Sequence, residues 1–280
     1  MKITLCLVLI ATLLFAARPT HAQTPMPIEI IRDLPYNPDP ATASPRHVLD
    51  LYRPAHLAHY PILLYVHGGA WVSGDKSNAA AIGQTLAANG IGVAAVNYRL
   101  SPDVTHPAHL QDIALAFDWV AEHIADYGGD ASRIFVGGHS AGGHLTTLLT
   151  LDDRYLAEVG HTPADIFGVI SFSGVYMIEH WIMEYADGAF PDDQLGRYAA
   201  SPYVHVHADA PPMLLLVARN DYPQLIGEAK LMTQALEKAK VAVELYTIPN
   251  RDHYSLVSLF GSPDDTAAEV VLTWFKARLS

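Results

Sequence analysis

Pro61-Ile62-Leu63-Leu64-Tyr65-Val66 is an unbroken apolar run that stops at Gly68-Gly69. A run without polar alternation is the pattern of a strand buried on both faces. Similar runs span Ile91 to Val96, Arg133 to Val136, Ile166 to Phe172, Met213 to Ala218 and Val241 to Ile248. Two weaker ones, Ile28 to Ile31 and His47 to Tyr52, precede them. Helical patterns fill the intervals: residues 78–89, 107–127, 141–151, 224–240 and Thr266 to Leu279. In the second of these, Leu110, Ile113, Ala114, Phe117, Val120 and Ile124 form one apolar stripe. Strands alternating with helices predict an α/β fold, with a mostly parallel central sheet covered by helices on both faces. One domain over residues 23–280 accounts for the whole pattern. Residues 175–210 break the rhythm with aromatic residues among Gly, Pro and Asp, and read as a lid, an insertion or a long surface connection.

The first 22 residues read as a removable export signal. Lys2 gives a positive start, Ile3 to Ala17 is an uncharged and mostly apolar run, and Thr20-His21-Ala22 offers a cut after Ala22. The run is shorter than the ~20 residues a bilayer span needs. No later segment is long enough to insert stably in a membrane, so the expected location is periplasmic or extracellular. The single cysteine, Cys6, would leave with the signal. That excludes disulfides, thiolate metal sites and a cysteine nucleophile from the remaining chain. Lys2 and Arg18 would leave too, taking the formal charge from −12 to −14. So acidic a surface repels phosphate backbones and argues against a nucleic-acid partner.

Gly138-His139-Ser140-Ala141-Gly142 matches G-x-S-x-G between an expected strand and an expected helix. A tight strand-to-helix turn leaves room only for small residues two places either side of Ser140. It holds the hydroxyl clear of the backbone, and the helix that follows points free N–H groups at developing negative charge. His67-Gly68-Gly69-Ala70-Trp71 ends another strand. Its glycine amides can approach a ligand closely. The amides of Gly68, Gly69 and Ala141 are therefore candidates for an oxyanion hole.

A serine hydroxyl needs a base to take its proton. Among the 15 histidines, His253 stands out, because it lies in the loop between the last strand and the last helix. His139 adjoins Ser140 and is expected to point elsewhere. His67 is expected to support the glycine loop by hydrogen bonding. His205 and His207 alternate with Val204 and Val206 and read as a surface segment without metal-site spacing. The base in turn needs an acid to fix its tautomer. Asp221 follows a strand's carboxyl end. Asp252 competes but sits directly beside His253, and Asp192, Asp193 and Asp209 fall in the 175–210 segment.

Together these residues resemble the α/β-hydrolase superfamily. Within it the chain is similar to the carboxylesterase and lipase group that includes hormone-sensitive-lipase-like enzymes, feruloyl and acetyl-xylan esterases and kynurenine formamidase-like enzymes. The motifs that carry this are His67-Gly68-Gly69-Ala70-Trp71, Asn97-Tyr98-Arg99-Leu100-Ser101-Pro102, Gly138 to Gly143, Asp221 and His253. The resemblance implies Ser140 as nucleophile, His253 as base, Asp221 as its orienter and an oxyanion hole from Gly68, Gly69 and Ala141. It implies no metal or organic cofactor, and a small-molecule or polysaccharide-linked ester as substrate. Ala70 stands where many relatives carry a third glycine. The short lead-in before residue 46 and Asp75-Lys76 fit the smaller esterases better than the capped lipases.

The expected activity is hydrolysis of carboxylic esters through an acyl-enzyme. The same triad permits amide cleavage, including formamide hydrolysis, although kynurenine-pathway formamidases are usually intracellular. A non-catalytic binding domain on this scaffold would typically lack triad members. All three candidates are present here.

Overall fold

The computed structural model describes residues 25–280 except Asp187. The expected signal segment, its cut after Ala22 and Cys6 lie outside the described residues. In chain order the elements are β1 (Ile28–Pro35), β2 (Val48–Pro54), β3 (Tyr60–Val66), α1 (Ala80–Ala88), β4 (Gly92–Val96), α2 (Ala108–His123), β5 (Gly129–His139), α3 (Ala141–Leu151) and α4 (Asp153–Glu158). Then follow β6 (Gly168–Phe172), α5 (His180–Met183), α6 (Gln194–Ala199), β7 (Met213–Asn220), α7 (Pro223–Lys238), β8 (Val243–Asp252), α8 (Ser255–Ser258) and α9 (Thr266–Leu279).

The strands form one eight-stranded sheet in the order β1-β2-β4-β3-β5-β6-β7-β8. β1 pairs antiparallel with β2, and β2 antiparallel with β4. From β4 to β8 every neighbouring pair is parallel. The carboxyl ends of β3, β5, β7 and β8 therefore share one rim, where ligand sites of open α/β sheets form.

The apolar runs fill both faces of this sheet by simple alternation. Ile62, Leu64 and Val66 of β3 join Leu110 and Phe117 of α2 and Leu145 and Leu148 of α3 on one face. Leu63 and Tyr65 join Ile82 and Leu86 of α1 and Val271 and Phe275 of α9 on the other. Each fully buried aliphatic side chain of this kind contributes about 1.5–3 kcal/mol. The two faces together hold the sheet rigid beneath its loops. The α/β-hydrolase arrangement expected from the sequence is thus present.

Several boundaries shift. β5 runs well beyond the expected 133–136, because a polar lead, Asp130 to Arg133, extends it ahead of the apolar stretch. β8 continues four residues past Ile248, through Pro249 to Asp252, so that it delivers His253 directly. The helical stripe of α2 passes into a 3-10 turn over Ile124–Tyr127 that ends at Gly128, φ +86°. Residues 175–210 are more than a surface connection. They carry the short helices α5 and α6, and Tyr176, Ile178, Ile182 and Phe190 are buried against the core. Trp71 is also a core residue, edge-on to Phe190 at 4.7 Å and to His144 at 5.0 Å.

Candidate active site

Ser140 sits between β5 and α3 with φ +53° and ψ −117°. That conformation is sterically poor for any residue with a Cβ, and strain of this kind costs about 1–3 kcal/mol. Surrounding contacts impose it. A Cβ on Gly142 would lie 2.0 Å from the Val66 carbonyl oxygen, and one on Gly138 would lie 2.5 Å from the Gly142 carbonyl carbon. The two glycines let α3 press onto the end of β3. The Ser140 amide donates to the Phe172 carbonyl of β6 at 2.9 Å, which fixes the turn against the neighbouring strand.

Asp221 follows β7 and His253 follows β8. Nδ1 of His253 lies 2.9 Å from Oδ1 of Asp221. A carboxylate only accepts, so Nδ1 carries the proton and the neutral ring keeps a lone pair on Nε2. Burial pushes the Asp221 carboxyl up, but donation from His253, from Ser173 and from the Tyr222 amide outweighs it and holds the group below the usual carboxylate range. Oδ2 receives the Ser173 hydroxyl, and Oδ1 receives the Tyr222 amide at 2.9 Å. The competitor Asp252 turns away from the imidazole and accepts instead from the Ser255 amide at 2.8 Å and the Ser255 hydroxyl at 2.7 Å.

Ser140 and His253 line one cavity of about 750 Å³, together with Gly68, Gly69 and Ala70. No hydrogen bond joins the two side chains among the described residues. Catalytic contacts of unliganded enzymes are often long and tighten when substrate binds. Ala141, the first residue of α3, is buried behind Ser140. Val175, Trp181, Ile182, Leu225 and Val257 give the cavity apolar walls. Tyr185, Tyr222 and Tyr254 line it as well, and all three are substantially exposed.

The glycine loop is braced from below. Nδ1 of His67 donates to the Gly68 carbonyl at 2.7 Å, and its ring stacks on Tyr98 at 4.5 Å. Burial holds this imidazole near pKa 4, so it stays neutral, and Nε2 is left to accept from Arg46 at 3.3 Å. Arg46 also donates to the carbonyls of Gly74, at 2.9 Å, and Tyr98, at 2.6 Å. Asn97 completes the brace, accepting from the Lys76 amide at 2.6 Å and donating to Asp75 at 2.8 Å. The supporting role read for His67 is therefore seen. Gly69, Ala70 and Trp71 all have positive φ, +120°, +51° and +62°. A Cβ on Gly69 would meet the Ser73 carbonyl oxygen at 2.2 Å.

His139 departs from expectation. The sequence reading has it pointing elsewhere, whereas it lines the cavity and lies against His253. As the last residue of β5 it lies beside the loop that β8 delivers. Ser173 is a second residue missed from the sequence. It is fully buried at the end of β6 with φ +48°, and nothing local in Ser171-Phe172-Ser173-Gly174 announces a contact 48 residues away. Arg46 was missed likewise. His205 donates to the Ala199 carbonyl at 2.8 Å. Among the described residues no group of three or more His, Cys, Asp or Glu is arranged to hold a metal ion. No helix among them is long and apolar enough to cross a membrane.

The BD-FAE family model matches residues 49–236. Esterase LipQ of Mycobacterium tuberculosis is 33% identical over 243 residues, which are 79% of this chain and 56% of that protein. Isoprenylcysteine alpha-carbonyl methylesterase ICME of Arabidopsis thaliana is 28% identical over 252 residues, covering 81% of this chain and 59% of its own. The chain thus spans little more than half the length of these relatives. Among solved structures, a truncated carbohydrate esterase from gut microbiota superposes with a TM-score of 0.76 at 20% identity, over 92% of this chain and 98% of the other. Esterase B from Lactobacillus rhamnosis gives 0.76 at 22% identity, over 91% and 86%. Both share the fold described above.

Proposed function

The chain belongs to the BD-FAE family, and on that premise we propose that it is an exported serine hydrolase that cleaves carboxylic esters. One observation carries the reading: His253, joined to Asp221 at 2.9 Å, lines the same cavity as Ser140, whose backbone is held in a strained turn. In this scheme Ser140 attacks the ester carbonyl while Nε2 of His253 takes its proton. Asp221 stabilises the imidazolium that results. The amides of Gly68, Gly69 and Ala141 receive the oxyanion, each such donor being worth about 2.7–4 kcal/mol in the transition state. The alcohol leaves with the proton from His253. Water then enters, gives its proton to His253 and releases the acid from the acyl-serine.

The apolar walls suit the acyl part of a small-molecule ester, and the exposed tyrosines of the lining offer contacts for an alcohol or a polysaccharide-linked ester. No step calls for a metal or an organic cofactor. Export rests on the first 22 residues alone. A fluorophosphonate probe should label Ser140, located by peptide mass spectrometry, and Ser140→Ala should abolish both labelling and turnover of p-nitrophenyl butyrate. Normal turnover by that variant would end the proposal. A panel of esters of rising chain length, with acetylated xylan included, identifies the substrate class.

A further inference from the structure

His139 occupies the junction of the three loops that make up the site. It precedes Ser140 directly. Its Nε2 lies 2.8 Å from the backbone carbonyl oxygen of His253. The two imidazole rings stand 4.5 Å apart at 45°. On the other side, a Cβ placed on Gly68 would come within 2.9 Å of its Nδ1. The ring thus fills the space between the glycine loop, the nucleophile's turn and the base. Its acceptor partner is a carbonyl, so Nε2 carries the proton and donates. The ring can hold that tautomer at every working pH, because burial first, and then the neighbouring His253, push it down to about 3.

On either side the main chain is held locally: Asp252 pairs with Asn220 of β7, and its carboxylate accepts from the Tyr254 and Ser255 amides. Among the described residues the carbonyl of His253 itself is met by His139. Tyr222 and Tyr254 flank its ring at 5.1 Å and 5.3 Å, and both are substantially exposed. Asp221 holds one ring nitrogen and makes no bond to the His253 carbonyl.

We propose that His139 is a positioning residue for the base: its Nε2–H bond to the His253 carbonyl and the packing of its ring set where the catalytic imidazole stands relative to Ser140. This rests on the ester-hydrolase reading. The nucleophile and the base are then placed by consecutive residues of one turn, and motion of β8 against β5 is resisted at the point where it would matter. Misplacement by about 1 Å can cost about 100-fold in rate.

Two variants separate the hydrogen bond from simple space filling. His139→Phe keeps a ring and loses the donor. His139→Gln keeps an amide donor of similar reach. With p-nitrophenyl butyrate, His139→Phe should lose about 10- to 100-fold in kcat with KM little changed. His139→Gln should recover most of that loss. Both should be labelled more slowly by the fluorophosphonate, in the same order. Equal kcat for wild type and His139→Phe would overturn the proposal, and so would equal losses in both variants.

A measurement on the wild-type protein covers the case in which His139→Phe does not fold. In nitrogen-15 spectra, Nε2 of His139 should bear a slowly exchanging proton. A rapidly exchanging one would remove the hydrogen bond, and the proposal with it. Absence of turnover by the wild type would refute the ester reading itself, and with it this role. Wild-type turnover matched by His139→Phe would refute only the role.

Discussion

The hydroxyl of Ser173 donates to Oδ2 of Asp221, the carboxylate oxygen that His253 does not use. A hydrogen bond to a buried charged group is worth about 1.5–3 kcal/mol. Ser173→Ala should therefore lower stability at pH 7 by roughly that amount, read by urea denaturation. The sign follows from linkage. Asp221 is held below its ordinary value in the folded protein, so the contribution is present above the unfolded carboxyl pKa, ~3.9, and disappears as pH falls through the lower folded value. A deficit that stays constant as pH falls from 7 to the acid limit of folding would show that the hydroxyl acts through packing alone.

Ser140 offers a test of stored strain. Its φ of +53° with ψ of −117° suits glycine far better than any residue with a side chain. Ser140→Gly should thus abolish ester turnover and still raise stability, by about 1 kcal/mol. A melting temperature below that of the wild type would show that the turn is not strained in the sense argued.

Two other glycines should respond in opposite directions. Gly142→Ala drives a methyl to 2.0 Å from the Val66 carbonyl oxygen, and backbone cannot step aside. That variant should be recovered only as insoluble or unfolded protein. Gly227 lies inside α7, and a Cβ added there would meet nothing within 4 Å. Gly227→Ala should stabilise the protein by about 0.5–1 kcal/mol through helix propensity. Denaturation of the purified variants decides both.

Little in the sequence of α7 sets Glu228 apart from its charged neighbours. The structure buries it, and its Oε2 accepts from the amides of Tyr176, at 2.7 Å, and Met177, at 3.0 Å. Burial raises its carboxyl to about 7, against the opposing pull of those amides. A carboxyl raised on folding favours the folded state below its unfolded pKa, ~4.3, and loses that advantage as pH climbs towards 7. Glu228→Gln should flatten this part of the curve and be the more stable protein at pH 8. Thermal melts from pH 4 to pH 8 read the slope, and parallel curves for the two proteins would contradict the assignment. The same bond anchors the start of the 175–210 segment, whose Trp181, Ile182 and Tyr185 line the cavity.

What the sequence disclosed and what it withheld divide along physical lines. Strands buried on both faces announce themselves by composition, so β3, β4, β6 and β7 are found within a residue or two. Turns that demand glycine leave a mark too, which is why Ser140 and the Gly68-Gly69 loop could be singled out. His253 and Asp221 were legible by position, each directly after a strand. Contacts that depend on register across the sheet were not. Ser173 reaches Asp221 because β6 and β7 align Phe172 with Leu216. His139 reaches His253 across 114 residues of sequence. The polar ends of β5 and β8 were missed because they fall at irregularities of the pairing, between Gly129 and Ile134 and between Ile248 and Asp252, where composition carries no strand signal.

His253 is delivered by β8, which among the described residues has a strand partner on one side only and pairs with β7 through an irregularity between Ala218 and Asn220. Ser140, by contrast, follows β5, which is clasped on both sides in the middle of the sheet. Border strands open at lower free energy than central ones. Warming can therefore part the imidazole from the serine while most of the helix and sheet content persists, so that on the proposed reading activity fades before the fold does.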